Sequence, residues 1–192
     1  MFGGIALGLA AIVGFRCYQE RQDSQRVEAS RQFDSFLAAQ EAGQADQAAG
    51  LAASLSANFA DTPYPVLVAL RRSAALVNDG KPEDALQVLE AALPGTRDPA
   101  LAQIIQLRAA RAELMLGRHE AALARLDAVD LAGYRALRYE LRGDALAAQG
   151  KRDEARAAYQ DALTATDIAA PTRVLLELKL AATGGSTTTP EV

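Results

Sequence analysis

A short motif, a glycine followed by polar residues and an alanine, recurs four times along this chain. Its copies begin at Gly43, Gly80, Gly117 and Gly150, about 35 residues apart. On both sides of each copy, apolar residues recur at the spacing of an amphipathic helix. A glycine turn between two helical segments, repeated with such a period, is typical of tetratricopeptide-type helix pairs. Because one pair cannot bury its own apolar face, the sequence predicts an all-α solenoid of four stacked pairs.

The fourth repeat shows the pattern most regularly. Gly143 is expected where the first helix meets its neighbour, and Ala155 at the tight crossing within the pair. Tyr159 is expected to fill the space beside them, and Ala162 is the next small position. This order of small, small, large and small side chains follows the tetratricopeptide pattern.

A final helix is predicted over residues 172–182, after Pro171. The last repeat of a solenoid needs a cap that covers its exposed apolar face. We expect this helix to supply the cap with its apolar side chains, Val174, Leu175, Leu178 and Ala181.

Composition supports this fold and narrows the function. Half of the residues are apolar, only 5% are aromatic and none is Trp. Ala and Leu, which dominate the apolar residues, are strong helix formers, and Ala lets helices approach closely. The net charge of −4 disfavours nucleic-acid binding, which needs a clustered basic face. One cysteine, Cys17, and one histidine, His119, exclude an intrachain disulfide and a thiol–imidazole metal site.

An uncharged apolar run, Phe2–Phe15, opens the chain and is followed by Arg16 and Tyr18. A bilayer span needs roughly 20 apolar residues, and the run approaches this length because both flanking side chains suit the membrane interface. A signal peptide would need a basic start and a small-residue cleavage site, which are missing, and a lipoprotein signal would need small residues before Cys17. A buried core helix is the remaining alternative. We therefore predict a transmembrane anchor at 1–18, a tetratricopeptide-like repeat domain at 19–183 and a disordered tail at 184–192.

Two features bear on how the predicted anchor sits in a membrane. Gly4 and Gly8 form a Gly-x-x-x-Gly pair, which favours close contact with a second transmembrane helix. Four arginines from Arg16 to Arg31 follow the run, and by the positive-inside rule they would keep that side in the cytoplasm. A basic segment upstream would reverse the orientation, so the residues themselves leave the side of the membrane open.

The chain carries no catalytic motif, phosphate-binding loop or zinc-binding pattern, so we expect no enzyme activity and no cofactor. Function is therefore expected to come from the surface. In tetratricopeptide units the first helix of each pair lines the concave face, and the turn glycines set the register of these helices. The residues placed on that face form a mixed groove for an extended or helical peptide: Arg71, Leu107, Arg111, Met115, Glu140 and Asp144.

Glu113 stands where this register expects a large apolar residue. Either the helix is rotated locally, or Glu113 pairs with an arginine such as Arg108.

Three segments together make the chain resemble a known family. They are Gly14-Phe15-Arg16-Cys17-Tyr18, Leu107-Arg108-Ala109-Ala110-Arg111 and Leu141-Arg142-Gly143-Asp144-Ala145-Leu146. In their order and spacing they resemble the YfgM-type tetratricopeptide-like membrane proteins, from the apolar run to about Ala182. The short cytoplasmic segment that precedes the span in that family has no counterpart here.

The resemblance implies a single-pass inner-membrane protein of Gram-negative bacteria whose C-terminal domain is periplasmic. It also implies association with the Sec translocon and with a membrane-anchored parvulin-type chaperone. The expected function is then an ancillary translocon subunit, a periplasmic scaffold that assists emerging secretory or envelope proteins. The alternative is a cytoplasm-facing membrane adaptor that recruits a soluble regulator, and the side of the membrane that holds the repeats separates the two.

Overall fold

The computed structural model describes the backbone of residues 2–184 and the side chains of residues 12–16 and 18–184. Over this range the chain forms α-helices and no β-strand, as the sequence predicts. Short 3₁₀ turns lie at Leu93–Gly95 and Ala132–Tyr134. The helices are α1 (Phe2–Glu41), α2 (Ala45–Asn58), α3 (Tyr64–Asn78), α4 (Pro82–Ala92), α5 (Pro99–Met115), α6 (His119–Asp127), α7 (Arg135–Ala148), α8 (Arg152–Thr164) and α9 (Arg173–Ala182).

The chain divides into two compact units, and the boundary falls inside α3, between Val68 and Ala69. In the first unit α1 packs against α2. The buried core of this unit includes Phe36 and Leu55, and the ring of Phe33 lies 5.4 Å from that of Tyr64.

In the second unit each helix packs against the next one along the chain, from α4 to α9. One buried cluster joins α5, α6 and α7 through side chains such as Leu107, Leu126 and Leu141. Another joins α7, α8 and α9 through side chains such as Leu146 and Leu176. Small residues occupy many of the buried positions, which lets these helices lie close together.

The four turn glycines end the first helix of each pair in the left-handed conformation. Their φ angles lie between 69° and 76°, a region that non-glycine residues enter only at a cost. The residue after each glycine donates its backbone N–H to the carbonyl five residues earlier, as in Gln44 to Ala39 and Lys81 to Leu76. This Schellman motif satisfies carbonyls that the helix end would leave unpaired. The predicted helix–turn–helix repeat is therefore confirmed at each glycine motif.

The tight crossing predicted for the fourth repeat is also present. Ala155, Tyr159 and Ala162 are buried. A Cβ atom added to Gly143 would lie 2.4 Å from Cε1 of Tyr159. Glycine is therefore required at position 143, because the tyrosine ring occupies the space of any side chain there.

The capping helix buries a different face from the one expected. Leu176 and Leu180 are the side chains of α9 that join the core with α8. The predicted inward residues Val174, Leu175 and Leu178 are instead 64%, 50% and 64% exposed, and Ala181 is exposed as well, so that expectation is wrong. The physical reason is that a helix packed on one neighbour buries only a narrow stripe at four-residue spacing.

Glu113 is buried and pairs with an arginine, although not with Arg108. Arg125 of α6 donates from Nε to Glu113 Oε1 at 2.7 Å and from Nη1 to Gln106 at 3.2 Å, and it also pairs with Glu90 of α4. The arginine thus links three successive helices around the one acidic side chain inside α5. Arg108 instead donates to the backbone carbonyl of Leu70.

The predicted anchor lies mostly outside the described side chains, which begin at Ile12. Its backbone belongs to α1, a continuous helix that also forms the first arm of the first pair. Among the described residues, no helix combines the length and the apolar character needed to cross a membrane.

We expect Gly143→Ala to destabilise the protein by about 1–3 kcal/mol, because overpacking against the fixed Tyr159 ring exceeds the gain in helix propensity. Gly50→Ala in α2 is the matched control, since a Cβ there meets no atom within 4 Å. This control should stabilise the protein by up to about 1 kcal/mol. Urea unfolding followed by circular dichroism measures both, and equal effects of the two substitutions would contradict the assigned crossing.

Arg125→Met leaves the buried Glu113 carboxylate without its guanidinium and should lower the free energy of unfolding by about 3 kcal/mol. Adding Glu113→Leu should recover most of this loss, because an apolar pair replaces the buried ion pair. The same urea titration compares the two variants. A double variant as unstable as Arg125→Met alone would show that the ion pair is not the cause.

Candidate functional site

A cavity of about 310 Å³ opens between α3, α5 and α7 in the second unit. Its apolar lining comes from Ala74, Val77, Leu89, Ile104, Leu107 and Leu137. Its polar lining comes from Ser73, Asn78, Arg108, Arg111 and Tyr134. The volume lies at the lower end of the range of roughly 300–1,000 Å³ found for ligand pockets. The cavity is thus an apolar recess with cationic and hydroxyl groups on its walls.

Two cations of this cavity come from one face of α5. Arg108 and Arg111 are three residues apart, a spacing that places both side chains on the same side of a helix. The Arg108 guanidinium is fixed by its hydrogen bond from Nη1 to the carbonyl of Leu70, at 2.5 Å. Leu107, which precedes Arg108, is buried and forms part of the cavity wall.

A third arginine lies within the electrostatic reach of these two. Burial lowers the pKa of Arg108, and the charges of Arg71 and Arg111 lower it further, while Tyr134 acts in the opposite direction. In the described part of the chain, none of the three arginines forms an ion pair with a carboxylate. The cavity therefore carries positive charge that its own surroundings do not neutralise.

The two acidic residues of the predicted groove belong to a different cluster. Lys179 of α9 donates to Glu140 at 2.7 Å and to Asp144 at 2.8 Å. The hydroxyl of Tyr159 donates to the other oxygen of Asp144 at 2.8 Å. These contacts join α7, α8 and the capping helix, so the carboxylates already have partners within the fold.

This cluster shifts the pKa of two of its members. Burial raises the pKa of Tyr159, and the hydrogen bond to the Asp144 carboxylate raises it further. Burial alone would lower the pKa of Lys179, but its bonds to Asp144 and Glu140 outweigh burial and raise it. Both side chains are thus held in their protonated forms.

The structure therefore separates the six residues of the predicted groove. It brings Leu107 and Arg111 into one cavity and places Arg71 near them. Met115, at the end of α5, is 51% exposed and does not line that cavity. Gly4 and Gly8, the predicted membrane contact, lie outside the described side chains.

The sequence prediction did not include Arg108 in the groove, although Arg108 lines the cavity. Its position three residues before Arg111 on the same helix was the available signal. Ser73, Asn78 and Tyr134 carried no comparable signal, because their approach to α5 depends on how the helices pack.

The chain belongs to the tetratricopeptide repeat-like domain family, whose characteristic sequence pattern matches residues 1–185. The resemblance to YfgM-type proteins is confirmed by two curated relatives, each named an ancillary SecYEG translocon subunit. The relative from Escherichia coli K12 is 29% identical over 177 residues, which cover 92% of this chain and 84% of the relative. The relative from Haemophilus influenzae Rd is 26% identical, covering 81% of this chain and 76% of the relative. No solved structure matches the chain significantly.

The raised pKa values predict how stability changes in alkali. A group whose pKa is higher in the folded state stabilises the fold below its unfolded pKa and loses that contribution as the pH rises. Stability should therefore fall above pH ~10, where the tyrosine and lysine of the unfolded chain lose protons first.

Tyr159→Phe removes one of these groups and should flatten the loss of stability between about pH 10 and pH 12. The free energy of unfolding in urea at a series of pH values measures the slope. Tyr18→Phe is the control, since this tyrosine is exposed. If Tyr159→Phe and the parent lose stability with the same slope, the Tyr159–Asp144 hydrogen bond does not hold the proton.

Proposed function

We propose that this chain is a membrane-anchored, periplasmic subunit of a Sec translocon, with a repeat domain that binds a membrane-anchored parvulin-type chaperone. The observation that carries the proposal is the similarity to ancillary SecYEG translocon subunits across 92% of the chain. The family pattern matches residues 1–185, which include the apolar run as well as the repeats, and this supports a shared architecture. In this role the protein is a scaffold that assists emerging secretory or envelope proteins.

The described end of the apolar run supports anchoring at residues 1–18. Ile12, Val13 and Phe15 are 57%, 59% and 61% exposed, and Tyr18 is 60% exposed. These positions surround the helix instead of forming one stripe, which is typical of a helix surrounded by lipid or by a partner. We propose that Gly4 and Gly8 provide the surface that contacts a neighbouring transmembrane helix.

The repeat domain supplies the second attachment. We propose that the chaperone contacts the surface predicted as the groove, with Arg71, Leu107, Arg111 and Met115 as contacts in the second unit. Glu140 and Asp144, the other two residues of the predicted groove, belong to the cluster with Lys179. Two tethers on one membrane raise the effective concentration of each partner, so neither contact needs to be tight.

Replacing residues 2–18 with an unrelated transmembrane helix tests this proposal. The exchange should keep the protein in the membrane and reduce co-purification of translocon components about tenfold, because the helix contact is lost while the repeat contact remains. Quantitative immunoblotting after mild detergent extraction measures it. Gly14→Ala is a matched control, since a Cβ there meets no atom within 4 Å.

The orientation of the chain in the membrane is tested with a cysteine placed in the C-terminal tail. In a Cys17→Ala, Ser186→Cys variant, a membrane-impermeant thiol reagent should label Ser186→Cys from outside intact spheroplasts. A cytoplasmic protein with an accessible thiol is the control, and it should be labelled only after lysis. Labelling of the tail only after lysis would overturn the periplasmic proposal and favour the cytoplasm-facing adaptor.

A further inference from the structure

The cavity between α3, α5 and α7 combines two properties that the fold does not need. Its walls are apolar, yet Leu107, Ile104 and Leu137 leave a recess of about 310 Å³ unfilled. Three arginines stand at or beside it without a carboxylate partner among the described residues, in a chain whose net charge is −4. At this cavity the apolar side chains leave space unfilled, and the arginines beside it lack acidic partners in the described part of the chain.

Several other arginines of the second unit do pair with carboxylates. Arg118 pairs with Glu83 at 2.7 Å, and Arg142 pairs with Asp127 at 2.8 Å, although both pairs are partly exposed. Arg125 pairs with Glu113. These three arginines thus have acidic partners within the fold, whereas Arg71, Arg108 and Arg111 stand together at one apolar recess without any among the described residues.

We propose that this cavity binds an acidic peptide segment, placing an apolar side chain in the recess and one or more carboxylates on Arg71, Arg108 and Arg111. The proposal deepens the proposed function, on which it rests, by naming the chemistry of the partner segment that the repeat domain holds.

The chemistry of the arginine group favours a carboxylate as the recognised anion. A guanidinium presents a planar set of donors that can hold both oxygens of a carboxylate. The Arg108 group is already oriented by its bond to the Leu70 carbonyl, so binding costs less side-chain entropy there. Tyr134 and Asn78 add neutral groups that can bond to a peptide backbone.

The size of the recess favours a short segment. At about 310 Å³ it holds one or two apolar side chains, and it lies at the small end of ligand pockets. A short segment with acidic and apolar residues side by side satisfies both the recess and the arginines. Side chains and a chain end both supply carboxylates, and the two sources share the same recognition chemistry.

Binding of a synthetic peptide to the full chain in mild detergent tests the proposal. The probe is fluorescein-Gly-Ser-Glu-Leu-Glu-Glu-Leu-Gly-Ser with an amidated C terminus, and its matched partner has Gln in place of each Glu. Fluorescence anisotropy at low salt should show at least about tenfold tighter binding of the acidic peptide, as expected for charge-assisted hydrogen bonds. A third peptide, with Gln for Glu and a free C terminus, shows whether a chain-end carboxylate suffices.

Two pairs of variants locate the binding. Arg71→Gln with Arg111→Gln should weaken the acidic peptide about tenfold or more, whereas Arg72→Gln, next along the same helix and exposed, should not. Ala74→Leu fills the recess and should also weaken binding, whereas the exposed Ala75→Leu should not. Circular dichroism confirms that each variant keeps its helical content.

Equal affinity for the acidic and Gln peptides would overturn the proposal, as would equal losses in Arg72→Gln and in the Arg71, Arg111 variant. Displacement of the acidic peptide by millimolar inorganic phosphate would also overturn it, because the site would then be a general anion site.

If peptide binding fails while translocon co-purification depends on residues 2–18, only this inference fails. If peptide binding succeeds while the exchanged anchor has no effect, the proposed function fails instead.

Discussion

The reversal of the chain at each turn glycine is the constraint on which the other features depend. A left-handed residue at Gly117, for example, lets the N–H of Arg118 reach the carbonyl of Glu113 and ends α5 in one fixed direction. The next helix must then return along the first, and its apolar stripe meets the stripe of its partner. Within the second unit α5 and α7, the first helices of successive pairs, thereby become neighbours, and a cavity forms between them and the part of α3 that belongs to this unit.

Close packing in the second unit depends on small residues and is supported by polar links between helices. Gly143 admits the ring of Tyr159, whose hydroxyl then reaches Asp144. Arg125 ties three helices together around Glu113. Polar groups of this kind contribute little net stability when buried, but they are costly when one partner is removed. We infer that they fix which helix faces which, while the apolar clusters supply most of the stabilisation.

Charge is distributed unevenly over the helices that border the candidate site. Lys179 forms ion pairs with both carboxylates on α7, Glu140 and Asp144, so these acidic side chains already have a partner within the fold. Arg108 and Arg111 on α5 have no such acidic partner in the described part of the chain. Unpaired cations beside an apolar recess have the chemistry that suits an acidic segment with apolar side chains.

The sequence by itself determined the repeat period, the glycine turns, the helical class and the tight crossing at Gly143, because each depends on spacing along one or two neighbouring helices. It also indicated Arg111, through its position on the first helix of a pair. Only the tertiary structure decided that Arg108 bonds to Leu70, that Glu113 pairs with Arg125 and that α9 buries a stripe other than the expected one. Helical periodicity is a local property, whereas these partners depend on the distance and rotation between helices, which packing of the whole unit sets.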